Sequence, residues 1–504
     1  MSAETSLPDR ARNALQSNPD MPALHGADGW YDWGWVRDTA ANIIDLLASC
    51  DIPLDRPIGL VARNRPTVAA ALLALLASGR SIRMMYAFQS ARMLAAEVAR
   101  GEIGALVASD DDFSATVIEA AVQSAIPAIS VHEEAGVGLA IEPDGWQASV
   151  PAAQAAQDGG DLYVEVLTSG TTGPPKHFRL SHDMILHGLL GMNLTYPDDP
   201  EDRASKISFA FYPLGTISGL YSYLPPVLNG TPVLLNEKFD LDRWLEHVAT
   251  YRPRRSSLPP PAIEQMLSRE IPREALASIH VIGTGAAPID AELQRAFEER
   301  YHIPLLVSYG ATEFGGPVAA MSAELWNEWG PRKRGSAGRG WAGAQLRIVN
   351  AVTGEPLPPG QEGLLEVISP AMGSHWIRTT DLAVIDQDDF LFHRGRADGA
   401  ITRGGFSILP EVIEQALSTH PKVASASVVG LPHRRLGETP VAAIQPKNFA
   451  DPPDIDELER HIRDHVYATH VPTQFRIVKQ LPLNQSLKVD LPRVRALFEK
   501  KPGS

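Results

Sequence analysis

The chain has 504 residues, of which 44% are hydrophobic and 21% are charged, so it can bury a large core and form about three folding units. Its 45 basic and 60 acidic residues give a formal net charge of −15, which excludes a general positive field that would recruit nucleic acid or an anionic membrane. A single cysteine, Cys50, excludes an internal disulfide and a multi-thiolate metal site, and it favours a reducing, cytoplasmic setting.

The N-terminal and apolar segments argue against export and membrane insertion. The sequence MSAETSLPDRARNAL has no apolar signal core. The longest apolar run, VAAALLALLA at 68–77, is far shorter than the ~20 residues that cross a bilayer. We therefore expect a soluble protein in which this run forms a buried helix.

Strand-like and helix-like segments alternate along the N-terminal part of the chain. The first four, read as strand, helix, strand and helix, are 57–63, 67–78, 104–109 and 115–125. Strand-like runs recur at 231–236 and 278–285. This alternation predicts layered α/β structure with parallel strands.

After RGRADG at 394–399 the pattern changes to that of a compact α+β unit of about a hundred residues. Its predicted elements are a helix at 410–420, strands at 423–430 and 440–445, a helix at 454–466 and a strand at 475–480. Within the second helix, Ile455, Leu458, Ile462 and Val466 are spaced to share one apolar stripe. We therefore expect a large domain over 1–397 and a small domain over 398–504.

The stretch LTSGTTGPPKHF at 167–178 has the composition of a loop that holds phosphate. Glycines permit close approach of the backbone, hydroxyls donate hydrogen bonds or bind Mg²⁺, and Lys176 supplies charge. The strand-like DLYVEVL before it places the loop at the carboxyl end of a strand, where α/β sheets bind ligands. The Walker pattern fails, because His177 follows the lysine. Composition alone leaves an ordinary flexible loop open.

The string TSGTTGPPK resembles the phosphate loop of the acyl-adenylate-forming superfamily, which includes acyl- and aryl-CoA ligases, peptide-synthetase adenylation domains and beetle luciferases. Seven further segments resemble signatures of that superfamily in the same order, and the whole set is very specific. They are GTGAAP at 283–288, YGATE at 309–313, GSAGRGWAGAQLRIVN at 335–350, GQEGLLEV at 360–367, HWIRTTD at 375–381, GRADGAITRGGFSILPEVIE at 395–414 and PLNQSLK at 482–488.

The resemblance implies an α/β fold with a large N-terminal domain of layered sheets and a small, mobile α+β C-terminal domain. It also implies a reaction in which ATP activates a carboxylic acid to an acyl-adenylate, pyrophosphate leaves, and the acyl group passes to the thiol of coenzyme A. Because the carboxylate and the α-phosphate are both anionic, positioning and charge neutralisation must supply most of the catalysis.

By this resemblance the loop binds the β- and γ-phosphates of ATP. The residues concerned are Thr168, Ser169, Gly170, Thr171, Thr172, Gly173 and Lys176. Thr312 is expected to contact phosphate, and Glu313 is expected to bind Mg²⁺, a cation that prefers oxygen ligands.

The resemblance also implies a nucleoside pocket. Tyr309 is expected to stack on adenine, beside Gly310 and the backbone of Gly285, Ala286 and Ala287. Asp381 is expected to accept hydrogen bonds from the ribose hydroxyls, with Arg396 assisting. Taken singly, such residues are more often a core aromatic ring or a surface ion pair.

Three residues of the C-terminal part receive roles from the same resemblance. Lys488 corresponds to the lysine that reaches between the carboxylate and the α-phosphate during adenylation. Asp398 corresponds to the hinge about which the small domain rotates afterwards. Gly405 is expected to let a pantetheine arm pass close to the backbone, since it has no Cβ.

The acyl pocket is expected among the segments 211–221, 283–288 and 309–317. Its predicted lining is Phe211, Tyr212, Thr216, Ile217, Tyr221, Gly283 and Phe314. Such a lining suits a hydrophobic acid, whether aryl, alicyclic or fatty. The segment 209–221 has no carboxylate to pair with an α-ammonium, which argues against an ordinary amino acid.

Several positions depart from the superfamily pattern. They are His177, Thr216, Thr380, Thr402 and Leu487. The leading hypothesis is an AMP-forming acyl-CoA ligase that uses ATP, Mg²⁺ and coenzyme A. The alternatives are a free-standing enzyme that loads a carrier protein and a catalytically silent homologue that binds nucleotide or acyl groups. No nucleic-acid partner is expected, and a homodimer is left open.

Overall fold

The computed structural model describes most of the chain. The described residues are 6–132, 136–141, 161–168, 176–195, 207–285, 289, 291–397, 399–482 and 489–499. Nine residues with predicted roles lie outside the described residues, namely Ser169, Gly170, Thr171, Thr172, Gly173, Ala286, Ala287, Asp398 and Lys488. Only the backbone is described at Thr168 and Lys176.

The α-helices of the described residues are distributed over the whole chain. They are α1 Leu7–Ala14, α2 Trp33–Ser49, α3 Pro66–Ala77, α4 Ala91–Ala99, α5 Ala115–Gln123, α6 His182–Thr195, α7 Ile217–Leu228, α8 Leu241–Tyr251, α9 Pro260–Ser268, α10 Ala291–Tyr301, α11 Ala323–Trp329, α12 Pro410–Ser418, α13 Ile455–Arg463 and α14 Leu491–Glu499. Many begin at a side-chain cap. Asp32, Ser90 and Ser114 each accept a hydrogen bond from a backbone N–H of the first turn of their helix.

The strands of the described residues form five sheets. They are β1 Pro22–Gly26, β2 Gly29–Asp32, β3 Ile58–Val61, β4 Ile82–Met85, β5 Ala105–Ser109, β6 Ala128–His132, β7 Gly136–Ile141, β8 Tyr163–Thr168, β9 Lys176–Ser181, β10 Ser208–Ala210, β11 Val233–Leu235, β12 Arg255–Ser257, β13 Val281–Thr284, β14 Leu305–Ala311, β15 Gly316–Ala320, β16 Arg339–Gly340, β17 Gln345–Val349, β18 Glu362–Ile368, β19 Ile377–Ile385, β20 Leu391–Arg396, β21 Ile401–Arg403, β22 Phe406–Ile408, β23 Val423–His433, β24 Gly437–Pro446 and β25 Phe475–Ile477.

A seven-stranded sheet occupies the N-terminal region, in the order β7-β6-β5-β3-β4-β8-β9. The inner strands β6, β5, β3, β4 and β8 run parallel, whereas β7 and β9 are antiparallel edges. Helix α3 packs on one face and is buried along its whole length, whereas α4 and α5 cover the other face. The predicted α/β layering is therefore confirmed, and so are the elements predicted near 57–63, 67–78, 104–109 and 115–125.

A second sheet, in the order β12-β13-β14-β15-β16, carries the middle of the chain. Strands β12, β13 and β14 are parallel, and β15 and β16 complete the sheet in antiparallel fashion. An antiparallel sheet, β17-β18-β19-β20, follows it in the chain and shares one apolar cluster with it. The strands predicted at 231–236 and 278–285 are observed as β11 and β13.

The last hundred residues form the predicted α+β unit, with β21 to β25 in one sheet. The stripe predicted on α13 is correct for Leu458 and Ile462, which are fully buried, and for Val466 beyond the helix. It is wrong for Ile455, which is 42% exposed because the helix begins at that residue, one turn before the helix reaches the core. No helix among the described residues is long and apolar enough to cross a membrane.

The buried face of α3 allows a test of the core. Replacing Leu72, which is fully buried, with Ala should lower the free energy of unfolding by about 2–5 kcal/mol, because it removes buried methyl groups and leaves a cavity. The measurement is urea denaturation followed by tryptophan fluorescence. Leu54→Ala is the matched control, since Leu54 is 69% exposed and should change stability by less than about 0.5 kcal/mol. Equal losses in both variants would contradict the assigned core.

Candidate active site

Two neighbouring strand ends form the base of the candidate site. In the β13–β14 ladder Thr284 pairs with Val307, so Gly285 and Tyr309 follow at the carboxyl ends of adjacent parallel strands. Ligands of α/β sheets bind at such ends. A Cβ on Gly285 would lie 2.8 Å from Ser308 Oγ, so the close approach of the two strands requires glycine there. Gly285, Tyr309 and Gly310, three of the residues predicted to line one nucleoside pocket, are thus brought together.

Tyr309 is held by a hydrogen bond that crosses between two sheets. Its hydroxyl on β14 donates to Asp381 Oδ2 on β19, at 2.5 Å. The second carboxylate oxygen, Oδ1, lies 3.4 Å from His393 Nε2 and 3.5 Å from Arg396 Nη1. The side chain of Asp381 is only 13% exposed. A largely buried carboxylate therefore has three donors around it.

The protonation states of this pair follow from their surroundings. Burial raises the pKa of Asp381, but hydrogen bonds from His393 and Tyr309, and the positive charge of Arg396, outweigh burial and hold the pKa below its ordinary value. Burial, and then the charge of Asp381, raises the pKa of the Tyr309 phenol well above its ordinary value. Tyr309 is therefore a neutral donor to an ionised acceptor, a pairing stronger than that between two neutral groups.

His393 is part of this cluster although sequence analysis did not select it. In the β19–β20 ladder Asp381 pairs with Arg396 and Ala383 pairs with His393, with a register shift at Leu382. The shift brings the imidazole of His393 and the guanidinium of Arg396 to one carboxylate. A bulge of this kind leaves no signal in residue spacing, so His393 could not have been found by pattern alone.

One departure from the superfamily pattern has a local explanation. Thr380, next to Asp381, accepts a hydrogen bond on Oγ1 from Arg396 Nη2. This contact orients the guanidinium beside the Asp381 carboxylate. The neighbouring Thr379 accepts from the backbone N–H of Asp381 at 3.0 Å and so fixes the strand locally.

Thr312 and Glu313 lie directly after β14, in a single 3₁₀ turn that ends at Phe314. The Glu313 side chain is exposed and Thr312 is half-buried, whereas Phe314 is buried. Gly315 ends the turn with a left-handed φ of 71°. In the part of the chain that the structure describes, no group of three or more His, Cys, Asp or Glu side chains is arranged to hold a metal ion. The exposed Glu313 carboxylate offers a single hard oxygen ligand at this position.

The predicted phosphate loop is the connection between β8 and β9. Thr168 and Lys176 are partners in the antiparallel ladder, so the two ends of the loop are held side by side. Strand β8 is parallel to β4, and its carboxyl end is therefore a ligand-binding end of the seven-stranded sheet.

The predicted acyl-pocket residues divide into two groups. Phe211 packs against Tyr212 and Phe239, with ring centroids 4.7 and 5.0 Å away. Thr216 is used as the cap of α7, because its Oγ1 accepts from Gly219 N at 3.2 Å. Its hydroxyl therefore supports the helix, and Ile217 is the first helical residue.

The second group, Phe314 and Tyr221, lies at a cavity of about 190 Å³ next to the Glu313 turn. Phe314, Pro317, Trp341 and Pro370 supply much of its apolar lining. Tyr221 OH donates to Gly315 O at 2.5 Å, which joins α7 to the cavity wall. Of the seven predicted residues Phe314 lines this cavity, whereas Phe211, Tyr212, Thr216, Ile217, Tyr221 and Gly283 do not.

A slightly larger cleft of about 240 Å³ lies at the other end of the strands of the second sheet, away from the Tyr309 end. It is lined by residues at the amino ends of β12 and β13, including Arg255 and Val281, together with Trp326. None of the predicted site residues contributes to it. Its place at the amino ends of parallel strands separates it from the Tyr309 and Asp381 cluster.

The chain belongs to the family of AMP-binding enzymes. The AMP-binding enzyme family model matches residues 11–375, and the model of the AMP-binding enzyme C-terminal domain matches residues 412–488. The superfamily resemblance drawn from the motifs is thereby confirmed.

Two curated relatives illustrate the sequence similarity. The chain is 30% identical to the 2-succinylbenzoate–CoA ligase of Bacillus pumilus over 371 residues, which cover 70% of this chain and 73% of that protein. It is 29% identical to the 4-coumarate–CoA ligase of Pinus taeda over 323 residues, which span 59% of each protein.

Solved structures share the fold over nearly the whole length. An amide bond synthetase from Marinactinospora thermotolerans matches with a TM-score of 0.80 and 24% identity, over 97% of this chain and 99% of that one. An o-succinylbenzoate CoA synthetase from Bacillus subtilis, as a double mutant bound to a product analogue, matches with a TM-score of 0.79 and 21% identity, over 98% of both chains. The same synthetase in complex with its acyl-adenylate intermediate matches with a TM-score of 0.64 and 21% identity, over 99% and 100% of the two chains.

The Asp381 cluster makes a testable prediction. Replacing Asp381 with Asn should raise the dissociation constant for AMP about tenfold or more, because the ionised acceptor for a ligand hydroxyl is lost. Isothermal titration calorimetry measures this directly. Asp389→Asn is the matched control, since Asp389 is exposed in the turn between β19 and β20 and its left-handed φ of 65° suits asparagine. Unchanged AMP binding by the Asp381 variant would remove that residue from the ligand site.

Proposed function

We propose that the protein uses ATP to activate a hydrophobic carboxylic acid to an acyl-adenylate with release of pyrophosphate, and then transfers the acyl group to the thiol of coenzyme A. The observation that carries the proposal is the ionised Asp381 carboxylate, held by Tyr309 at the carboxyl ends of two parallel strands. Family membership and the CoA ligases among the relatives support this reading.

Adenylation requires two anions to approach each other. In this proposal the phosphate loop, with Lys176 at its exit, holds the β- and γ-phosphates of ATP, and Thr312 contacts the same nucleotide. Lys488 of the C-terminal part then supplies positive charge between the attacking carboxylate and the α-phosphate. Fixed charges of this kind stabilise the charge that develops in the transition state without reorganising solvent.

Mg²⁺ is proposed as the metal that accompanies ATP. Magnesium sites on nucleotides commonly use one or two protein carboxylates together with phosphate oxygens. The exposed carboxylate of Glu313, directly after the strand that carries Tyr309, fits that donor set. Glu313 would hold Mg²⁺ on the protein side, where the ion would offset negative charge on the phosphates.

The acceptor thiol is proposed to approach past the hairpin between β21 and β22. Gly404 and Gly405 form its turn, with φ values of 57° and 88°, and the ring of Phe406 lies 6.4 Å from that of Tyr86 in the large domain. The two glycines therefore form a tight turn. Because they have no Cβ, they leave room for a pantetheine arm to pass close to the backbone.

The division into domains remains a proposal with one proposed hinge. Strand β20 ends at Arg396 and β21 begins at Ile401, so Asp398 lies in the short connection between the two proposed units, 1–397 and 398–504. Rotation about such a connection would exchange Lys488 for the Gly405 hairpin at the same site.

The acid is proposed to be hydrophobic because the cavity beside Phe314 is mainly apolar. A panel of aryl, alicyclic and fatty acids, each supplied with ATP and Mg²⁺, should include acids that cause release of pyrophosphate. Subsequent addition of free coenzyme A should convert the adenylate to a thioester. If no acid caused release of pyrophosphate, the proposed adenylation activity would be contradicted. If the acyl group passed only to a carrier protein, the carrier protein and not free coenzyme A would be the acceptor.

Lys488 gives the sharpest mutational prediction. Lys488→Ala should lower the rate of adenylate formation by at least about a hundredfold, because the charge between the two anions is removed, and should leave thioester formation from supplied acyl-AMP near the wild-type rate. Both half-reactions are measured by quenched flow. Lys479→Ala, at an exposed lysine of the small domain, is the control and should change neither rate. Equal losses in both half-reactions would show that Lys488 has no step-specific role.

A further inference from the structure

His177 stands directly after Lys176, on the strand β9 by which the chain leaves the predicted phosphate loop. Its Nε2 lies 3.1 Å from Oε1 of Glu97 on helix α4, and its Nδ1 lies 4.0 Å from Oε2 of Glu165 on β8. The side chains of His177 and Glu97 are 17% and 8% exposed. This contact joins the exit of the loop to a helix that covers the seven-stranded sheet.

The contact of Glu97 with His177 is explained by the neighbouring charged side chains. In the ladders Arg83 pairs with Glu165, and Glu165 pairs with Arg179, so these three side chains share one face of the sheet. The Arg83 guanidinium binds both Glu165 and Glu102, and Arg179 also binds Glu165. Both guanidiniums are thus engaged by carboxylates other than Glu97.

Glu97 has weaker neighbours. The amide of Gln89 donates to its Oε2 at 3.3 Å, and the His177 ring stands beside Oε1. Glu97 Oε1 and His177 Nδ1 are buried and have no hydrogen-bond partner among the described residues, so the 3.1 Å approach of His177 Nε2 to Oε1 is a close polar contact rather than a well-aligned hydrogen bond. Buried polar atoms that lack partners oppose folding, so such a pair calls for a role beyond stability.

The small domain docks next to the same pair. The ring of Tyr467 lies 5.0 Å from that of Tyr86, which follows β4 in the large domain. Burial, and after it the negative charge of Glu97, raises the pKa of Tyr467, so its phenol is within electrostatic reach of Glu97. Arg100 contributes a positive charge to the same neighbourhood. Glu97 thus lies between the loop exit and the docked domain.

We propose that His177 is a positioning residue that ties the exit of the phosphate loop to Glu97 at the surface where the small domain docks. This inference rests on one part of the proposed function, namely that the loop binds ATP. A ring one residue beyond Lys176 constrains the backbone that presents this lysine. Loss of the tie therefore lowers the affinity for ATP rather than the rate of acyl transfer to the thiol.

The test is a double-mutant cycle on ATP affinity, measured by calorimetry with the full-length protein and no acid. His177→Ala and Glu97→Gln should each raise the dissociation constant for ATP about tenfold. The double variant should bind ATP no more weakly than the weaker single variant, since both changes remove one contact. His177→Gln, which keeps an N–H donor of similar reach, should recover part of the affinity.

Two further measurements separate positioning from folding. Urea denaturation at the assay temperature should give a folded baseline and an unfolding midpoint for every variant. The rate of thioester formation from supplied acyl-AMP should stay near that of the wild type. Unchanged ATP affinity of His177→Ala, or effects that multiply in the double variant, would overturn the inference. A wild-type protein that binds ATP but releases no pyrophosphate with any acid would contradict the proposed function alone. A wild-type protein that does not bind ATP would overturn both.

Discussion

The hydrogen bond from Tyr309 to Asp381 joins two sheets at the place where the nucleoside is proposed to bind. It gives the carboxyl end of β14 a largely buried polar connection to the antiparallel sheet that carries Asp381. Burial, and then the charge of Asp381, keeps the Tyr309 phenol protonated, whereas hydrogen bonds from His393 and Tyr309 outweigh burial and keep the Asp381 carboxylate ionised. A directional acceptor in a largely buried setting is what recognition of a ligand hydroxyl requires. Thr312 and Glu313 directly follow β14, the strand that carries Tyr309, and Gly285 follows the adjacent strand β13.

Charge is placed differently in the two halves of the proposed site. Around Asp381, His393 and Arg396 stabilise a negative group that the protein itself supplies. At the proposed phosphate loop, Lys176 is predicted to supply positive charge for a ligand that is itself negative, and the contact between His177 and Glu97 lies one residue beyond Lys176. The overall charge of −15 therefore does not oppose the binding of a nucleotide, because the relevant fields are local.

Much of the fold could be predicted from the sequence because its signals are local. The fully apolar α3 and the alternating strands around it follow from hydrophobic pattern, and Gly285 follows from a motif at a strand end. His393 could not be predicted, since a register shift brings it to Asp381. The pocket assignment was only partly predictable, because Thr216 is used as a helix cap and Trp341 reaches the cavity from a distant segment. The roles of Lys488 and Asp398 remain predictions.

The central claim is that a carboxylate oxygen attacks the α-phosphorus of ATP at this site. It is tested most directly with an acid labelled with ¹⁸O in its carboxylate, incubated with ATP, Mg²⁺ and coenzyme A, followed by mass spectrometry of the products. The account predicts one ¹⁸O atom in the phosphate of AMP, because the bond between the acyl carbon and that oxygen breaks when the thiol attacks. Appearance of ¹⁸O in orthophosphate, together with ADP, would contradict it.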